Sequence, residues 1–121
     1  MSQHSRRLRV ANEWVEIGNL LAKSTSEGHR RVAASRLYYA LYHRAIAAFD
    51  DKKTISHKSV GHEYHRRYET GQDGLGGLRG LHQLRCLADY SFHIEFSNED
   101  LAYAILLAQG IEANLLPLLE D

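Results

Sequence analysis

The spacing of apolar residues constrains the fold of this chain most strongly. These residues recur at steps of three and four, and no useful run alternates apolar with polar residues. Positions spaced in this way share one face of an α-helix, which has a period of about 3.6 residues. The one proline, Pro117, lies near the C-terminal end, so no earlier segment is interrupted by proline. The chain is therefore predicted to be helical throughout.

Capping residues and glycines divide the sequence into four or five helices. The predicted ranges are 5–23, 29–49, 57–69 and 75–90, followed by a last helix that begins at Ser97. Ser56 is a predicted N-cap, Gly71 a predicted stop, and Ser97 with Asp100 has the spacing of a capping box. Short connections favour an antiparallel bundle. The length of 121 residues fits a single domain over 1–121.

Each predicted helix carries an apolar stripe that is expected to face a common core. The stripes are Val10, Trp14, Ile17 and Leu21; Val32, Ala33, Leu37, Ala40, Leu41, Ala45 and Ala48; Leu78, Leu81, Leu84, Leu87 and Ala88; and Leu101, Ala104, Ala108, Ile111, Leu115 and Leu118. A core of this size is modest. The apolar last helix offers further surface, so we expect a homodimer.

The charges balance over the whole chain but are unevenly distributed. Residues 94–121 contain six acids and no lysine or arginine, so the basic residues all lie before them, and eleven of the 15 are arginines. Arginine binds phosphate in a bidentate manner that lysine cannot reproduce. Two interpretations follow: one side of the protein binds nucleic acid, or the acidic last helix docks on basic neighbours, which is the more ordinary arrangement.

Several classes of site and location are disfavoured by composition. Cys86 is the only cysteine, which excludes an internal disulfide and a cysteine-based zinc site, and it is expected to be buried. His62 and His65 are three apart, but the arginines that follow them would repel a cation, so no metal site is predicted. No stretch approaches 18 uninterrupted apolar residues and no secretory signal is recognisable, so we expect a cytoplasmic protein without a membrane span.

The segment SRLYYALYHRA, residues 35–45, concentrates polar and aromatic chemistry on one helix. Arg36, Tyr39 and His43 share a stripe, because positions three, four and seven apart lie on one face. Tyr38 and Tyr42 add two phenols close by. A core does not need a guanidinium and an imidazole. The stripe therefore predicts a substrate-binding surface for a polar or anionic ligand such as RNA or a nucleotide.

The segment LRCLADYSFHIEF, residues 84–96, suggests a second set of functional groups. Arg85 and Asp89 are four apart and can pair on one helix face, and His93 follows the predicted helix end. In RNA cleavage the 2′-hydroxyl is the nucleophile, an imidazole can transfer its proton, and a guanidinium can stabilise the phosphate charge. The sequence therefore predicts a metal-independent ribonuclease site, formed either by Arg85 with His93 or by Arg36 with His43. The alternative is a structural Arg85–Asp89 pair.

Three landmarks in order resemble the HEPN domain family: SRLYYALYHRA at 35–45, Ser56-His57-Lys58, and Leu84-Arg85-x-x-Ala88-Asp89-Tyr90. The resemblance covers roughly residues 30–115 and is closest to short, stand-alone prokaryotic members. It implies an antiparallel helical bundle that forms dimers. Many HEPN proteins are metal-independent endoribonucleases of toxin–antitoxin or defence systems, and others are non-catalytic or act as partners of a minimal nucleotidyltransferase.

The resemblance also implies roles for individual residues. Arg85 would bind phosphate, His93 would act as acid and base, and Asp89 and Tyr90 would orient them, with no cofactor. Seven residues separate Arg85 from His93, whereas the family signature has four to six. Two functions therefore stay open. One is a ribonuclease toxin or defence effector that acts as a homodimer, for which a nucleotidyltransferase could serve as the antitoxin. The other is a non-catalytic nucleotide- or RNA-binding or regulatory module that partners a nucleotidyltransferase.

Overall fold

The computed structural model describes residues 2–49, 57–68 and 77–119, and these residues form helices and no strand. The helices are α1 (Gln3–Leu21), α2 (Glu27–Phe49), α3 (His57–Tyr68), α4 (Gly77–Tyr90) and α5 (Asn98–Leu119). The prediction of an all-α bundle is confirmed. The predicted N-cap Ser56, the end of the third helix at Glu69, its stop at Gly71 and the start of the fourth helix at Leu75 lie outside the described residues.

Helix α2 is the centre of the bundle, since it packs against each of the other four helices. Alanines occupy five of its twelve buried positions, and their small side chains let the neighbouring helices approach closely. The largest fully buried side chains come from four of the helices: Tyr38, Leu41, Tyr64, Leu78, Leu81, Ile111 and Leu115. The core therefore forms around α2, and side chains on α2 are the best placed to meet several neighbours at once.

Four residues that were predicted to face the core are exposed: Ile17, Val32, Leu87 and Leu118. Helix α1 instead faces α2 through Ala11 and Gly18, which are buried. A Cβ atom on Gly18 would lie 2.9 Å from Cγ of Leu37, so the two helices meet there without room for a side chain. This close contact over small residues turns Ile17 outward, although its hydropathy suggests the opposite.

Polar caps fix where the helices begin. The backbone N–H of Ser5 donates to Oγ of Ser2 at 3.0 Å, so α1 starts two residues before the predicted boundary. At α5 the predicted capping box is confirmed. The Asp100 N–H donates to Oγ of Ser97 at 3.1 Å, and the Ser97 N–H donates to Oδ2 of Asp100 at 2.9 Å.

Two buried arginines at the start of α2 hold the connection between α4 and α5. The Arg31 guanidinium donates to four carbonyl oxygens, those of Leu87, Ala88, Ser91 and Ile94. It thereby satisfies the Ala88 carbonyl in the last turn of α4 and adds a second donor to the Leu87 carbonyl, which also accepts from the Ser91 N–H. Arg30 donates to the Phe96 carbonyl at 3.0 Å and to the Thr25 carbonyl at 2.8 Å. The turn after α4 is therefore fixed to α2.

A carboxylate completes this arrangement. Glu27 accepts a hydrogen bond from the Phe96 N–H at 2.9 Å and pairs with Arg31 at 2.9 Å. The backbone hydrogen bond from Phe96, followed by that from Arg31, holds the pKa of the Glu27 carboxyl below its usual value. Sequence reasoning missed these two arginines, because nothing local distinguishes them from solvent-exposed helix residues.

Helix α5 is acidic at its start and apolar along its length. Glu112 pairs with Arg44 of α2 at 3.2 Å, which is one instance of the predicted docking of this acidic helix on a basic neighbour. By length and hydropathy α5 is the one described helix that could cross a membrane, which is weak support for a span. Its stripe Leu101, Ala104, Ala108, Ile111 and Leu115 is buried in the bundle. This arrangement is compatible with a soluble protein.

Candidate functional site between helices α1, α2 and α4

Arg85 lies on α4 where that helix meets α2, and only 5% of it is exposed. Its Nη1 donates to Oδ2 of Asp89 at 3.4 Å, which is the predicted i,i+4 pair. The Ser35 hydroxyl of α2 donates to the same Oδ2 at 3.2 Å. Asp89 therefore ties Arg85 to the first residue of the SRLYYALYHRA segment.

Three tyrosine rings surround the Arg85 guanidinium. The guanidinium carbon lies 5.5 Å from the ring centre of Tyr38, 5.1 Å from that of Tyr39 and 5.7 Å from that of Tyr90. Such contacts stabilise a cation through the negative ring faces. The Nε atom of Arg85 is buried and has no hydrogen-bond partner among the described residues. One N–H of this guanidinium therefore remains available for an incoming acceptor.

Among the described histidines, His82 is the one with a hydrogen bond to Arg85. Nη2 of Arg85 lies 3.3 Å from Nε2 of His82, and because arginine has no acceptor, Nε2 must accept this hydrogen bond. Sγ of Cys86 is 3.7 Å from the same nitrogen, and Cys86 is partly exposed rather than buried as predicted. Sequence reasoning passed over His82, although its position three residues before Arg85 on a helix was a usable signal.

His93 lies on the turn after α4, as predicted, and its side chain is exposed. The hydrogen bonds and ring contacts of Arg85 in the described part of the chain go to Asp89, His82 and tyrosines, and none goes to His93. A single chain therefore does not bring the predicted pair Arg85 and His93 together. Tyr90 is 72% exposed and forms the outer wall of the Arg85 cluster.

All three side chains of the predicted stripe on α2 contact Trp14 of α1. The Arg36 guanidinium carbon lies 5.2 Å from the Trp14 ring centre, and the rings of Tyr39 and His43 lie 6.4 Å and 5.6 Å from it. Arg36, Tyr39 and His43 thus share a neighbour that no sequence pattern linked to them. Tyr39 also contacts Arg85, so the α1 side and the α4 side of α2 are joined through this ring.

An open cavity of about 560 Å³ lies beside Trp14, between α1 and α2. Among the described residues it is lined by Arg6, Arg7, Val10, Trp14 and His43. The described lining therefore includes two arginines and no acid. The arginines of α1 were not singled out from the sequence, because their relation to the α2 stripe depends on how the two helices pack.

Burial raises the pKa of two tyrosines of α2 that lie near Arg85 and Arg7. It raises the pKa of Tyr38 far above its ordinary value, and the positive charge of Arg85 opposes the rise only in part. Burial also raises the pKa of Tyr42, against the opposing charge of Arg7. Both phenols therefore stay neutral at physiological pH and offer hydroxyl groups rather than phenolates.

No group of three His, Cys, Asp or Glu side chains in the described part of the chain could hold a metal ion. His62, one of the two histidines weighed as a metal pair, has Nδ1 within 2.9 Å of the Arg79 guanidinium. The neighbouring carboxyl of Glu63 is engaged by Arg66 and Arg67, whose hydrogen bonds lower its pKa to about 2. This end of α3 is therefore an exposed face rich in ion pairs.

Comparison with known proteins finds no match: no protein-family model fits the chain, and no curated protein and no solved structure is similar to it.

Proposed function

We propose that this chain is a HEPN-type endoribonuclease that cleaves RNA as a homodimer without a metal ion, in the manner of a toxin or defence effector. The observation that carries the proposal is the Arg85 cluster. A buried guanidinium is oriented by Asp89 and touches an imidazole, and its Nε has no hydrogen-bond partner in the described part of the chain. This combination suits a phosphate that gains negative charge during reaction.

The proposed reaction uses only groups of the protein and the substrate. An imidazole takes the proton of the RNA 2′-hydroxyl, and the 2′-oxygen forms a bond to the adjacent phosphorus. The bond from phosphorus to the 5′-oxygen breaks, and that oxygen takes a proton from an imidazolium, so the protein neither gains nor loses a proton overall. The products are a 2′,3′-cyclic phosphate and a 5′-hydroxyl end. Arg85 would donate to a non-bridging phosphate oxygen, and Asp89 would hold Arg85 in place.

Access to Arg85 depends on Tyr90. The guanidinium is nearly closed off, whereas the Tyr90 ring that covers it is mostly exposed. Exposed side chains change rotamer within picoseconds to nanoseconds. Rotation of Tyr90 would therefore open the cluster to a phosphate without a change in the helices.

A second copy of the chain is part of the proposal. Leu87, Phe92 and Ile94 form an exposed apolar surface at the end of α4 and on the turn that follows it, called here the turn surface. Pairing of two turn surfaces would place His93 of each chain near the Arg85 cluster of the other, which two-fold symmetry then repeats. A nucleotidyltransferase acting as an antitoxin, and a cytoplasmic location, belong to the same proposal.

One observation favours a second candidate, a non-catalytic RNA- or nucleotide-binding module. Arg85 is buried within the chain and does not contact His93. The cluster therefore also fits the alternative in which the Arg85–Asp89 pair only stabilises the packing of α4 on α2. In that case the polar surface of α2 would bind its ligand without cleaving it, and the Arg85–Asp89 pair would serve stability.

The two candidates are separated by incubating the purified protein with total tRNA in EDTA. The ribonuclease proposal predicts cyclic-phosphate ends, and it predicts no cleavage of 2′-O-methyl RNA, which lacks the nucleophile. Loss of roughly 100-fold or more in rate is expected for Arg85→Lys and for the variant of the working imidazole. Comparison of His82→Ala with His93→Ala identifies that imidazole.

Arg85→Lys keeps the charge but loses the planar fork, and its helical circular dichroism shows whether the fold is intact. Arg79→Ala on the same helix is the matched control and should cleave at the wild-type rate. Binding of tRNA without cleavage at every protein concentration would contradict the ribonuclease and support the binding module.

A further inference from the structure

We infer that the cavity between α1 and α2 is a binding subsite for one nucleotide unit of single-stranded RNA. The base would lie against the rings of Trp14 and His43, and the adjoining phosphate would be bound by Arg6 and Arg7. This inference rests on the proposed function in its choice of RNA as the ligand. It assigns a role to α1, on which the Arg85 chemistry does not depend.

The ring geometry is the first argument. Trp14 and His43 both line the cavity, and their ring centres are 5.6 Å apart with the planes inclined by 58°. The Arg36 guanidinium lies 5.2 Å from the Trp14 ring centre and packs against this ring. A partly exposed tryptophan held in this way is a stacking platform for a base, and stacking tolerates any sequence because every base has a flat face.

Charge is the second argument. Arg6 and Arg7 line the cavity, and no acid is among its described lining residues. The closest acid in sequence among the described residues, Glu13, is paired with Arg9 on the exposed side of α1. The cavity is therefore positively charged where an anionic backbone would pass. Two adjacent arginines without a carboxylate between them fit a phosphate better than they fit a cationic or neutral ligand.

The cavity between α1 and α2 has a suitable size and position for one nucleotide of a longer strand. The volume of about 560 Å³ lies within the range of small-molecule pockets, and the cavity is open, so a polymer can enter and leave it. Tyr39 contacts both the Trp14 ring and the Arg85 guanidinium. A strand with one base in the cavity would thus continue over α2 toward the Arg85 cluster, which makes this site a means of positioning the substrate.

The test uses Trp14 itself, because it is the only tryptophan of the chain. A short 5′-phosphorylated 2′-O-methyl oligoadenylate cannot be cleaved through the 2′-oxygen, so the wild-type protein can be used. We expect saturable quenching of the Trp14 fluorescence by this oligonucleotide. Polyphosphate of equal charge should not quench it, and free AMP should do so only at much higher concentration.

Two variants locate the contacts by anisotropy of a labelled oligonucleotide. Arg6→Ala with Arg7→Ala should raise Kd roughly tenfold or more and flatten its salt dependence by about 0.7 in log–log slope, as the loss of one neutralised phosphate requires. Trp14→Leu should also raise Kd roughly tenfold, and Trp14→Phe should retain part of the affinity. Arg9→Ala, on the same helix but outside the cavity, is the control and should bind as the wild type does.

The outcome distinguishes this inference from the proposed function. Cleavage of tRNA without quenching of Trp14 would overturn the subsite and leave the ribonuclease intact. Quenching without cleavage would support the subsite and remove the ribonuclease. Equal binding of polyphosphate, or an unchanged Kd in the double arginine variant, would show a general electrostatic attraction and would also overturn the subsite.

Discussion

Tyr38 is fully buried between α2 and α4, and this burial links the Arg85 cluster to the stability of the protein. The phenol of an unfolded chain ionises near pH 10. In the folded state burial raises the pKa of Tyr38 far above that value. Below about pH 10 the phenol is neutral in both the folded and the unfolded state, so its ionisation does not affect stability. Above about pH 10 the unfolded chain releases the proton first, and the free energy of unfolding falls progressively.

We predict that Tyr38→Phe makes the stability less sensitive to alkaline pH. The wild-type free energy of unfolding should fall more steeply above about pH 10, by up to about 1.4 kcal/mol per pH unit for this one proton. Urea unfolding at a series of pH values from about 8 to 11 measures the slope, which does not depend on how stable the variant is at neutral pH. Tyr103→Phe, an exposed position on α5, is the control. Equal slopes for Tyr38→Phe and the wild type would contradict the argument.

At the level of residues, the sequence predicts contacts within a helix and misses contacts between helices. The Arg85–Asp89 pair follows from a spacing of four, and the structure shows it. The contacts of Trp14 with Arg36 and His43 depend on how α1 crosses α2, and local spacing does not encode that crossing. Arg31 is a similar case, because its carbonyl partners lie 56 to 63 residues along the chain.

At the level of elements, the closest approach of α1 to α2 occurs at Gly18. A methyl group there would meet Cγ of Leu37 at 2.9 Å and the Ala33 carbonyl oxygen at 3.3 Å. Leu37 is buried and has little room to move. The steric cost of such overpacking, about 1–3 kcal/mol, exceeds the gain of up to about 1 kcal/mol from replacing a helical glycine by alanine.

We therefore predict that Gly18→Ala lowers the free energy of unfolding by on the order of 1 kcal/mol. Gly110→Ala on α5 is the matched control, because a Cβ atom there meets nothing within 4 Å, and it should raise stability by up to about 1 kcal/mol. The midpoints of urea unfolding measure both changes. A stabilised Gly18→Ala would mean that α1 sits further from α2 than the structure shows.

Helix boundaries were easier to predict than helix faces. The ends of α1, α2 and α4 that lie in described residues fall within two residues of the prediction, because caps and breaks are local signals. The prediction of buried faces was wrong at Ile17, Val32, Leu87 and Leu118, which are exposed. Hydropathy gives a large apolar residue a higher score than a small one, whether or not it is buried. A contact made by Ala11 and Gly18 carries almost no hydropathy signal.

At the level of the whole molecule, two apolar surfaces are available for a second chain. One is the turn surface, and the other is the outer side of α5, which exposes Tyr103, Leu106, Leu116 and Leu118. The turn surface is held by Arg31, whose guanidinium carbon also lies 4.8 Å from the Phe92 ring centre. An apolar surface whose backbone is already fixed loses little conformational freedom on binding, which favours it as an interface.

We predict that the protein is a dimer through the turn surface. In sedimentation analysis the wild type should have twice the mass of one chain at micromolar concentration. Phe92→Glu places a charge on a ring position that is 72% exposed in the single chain, so it should dissociate the dimer and abolish cleavage of tRNA without loss of helical circular dichroism. Leu106→Glu on α5 is the matched control and should remain a cleaving dimer.

Dissociation by Leu106→Glu alone would place the interface on α5. A wild type that is monomeric at every concentration would remove the second copy on which the Arg85–His93 pairing depends, and cleavage would then have to rely on His82.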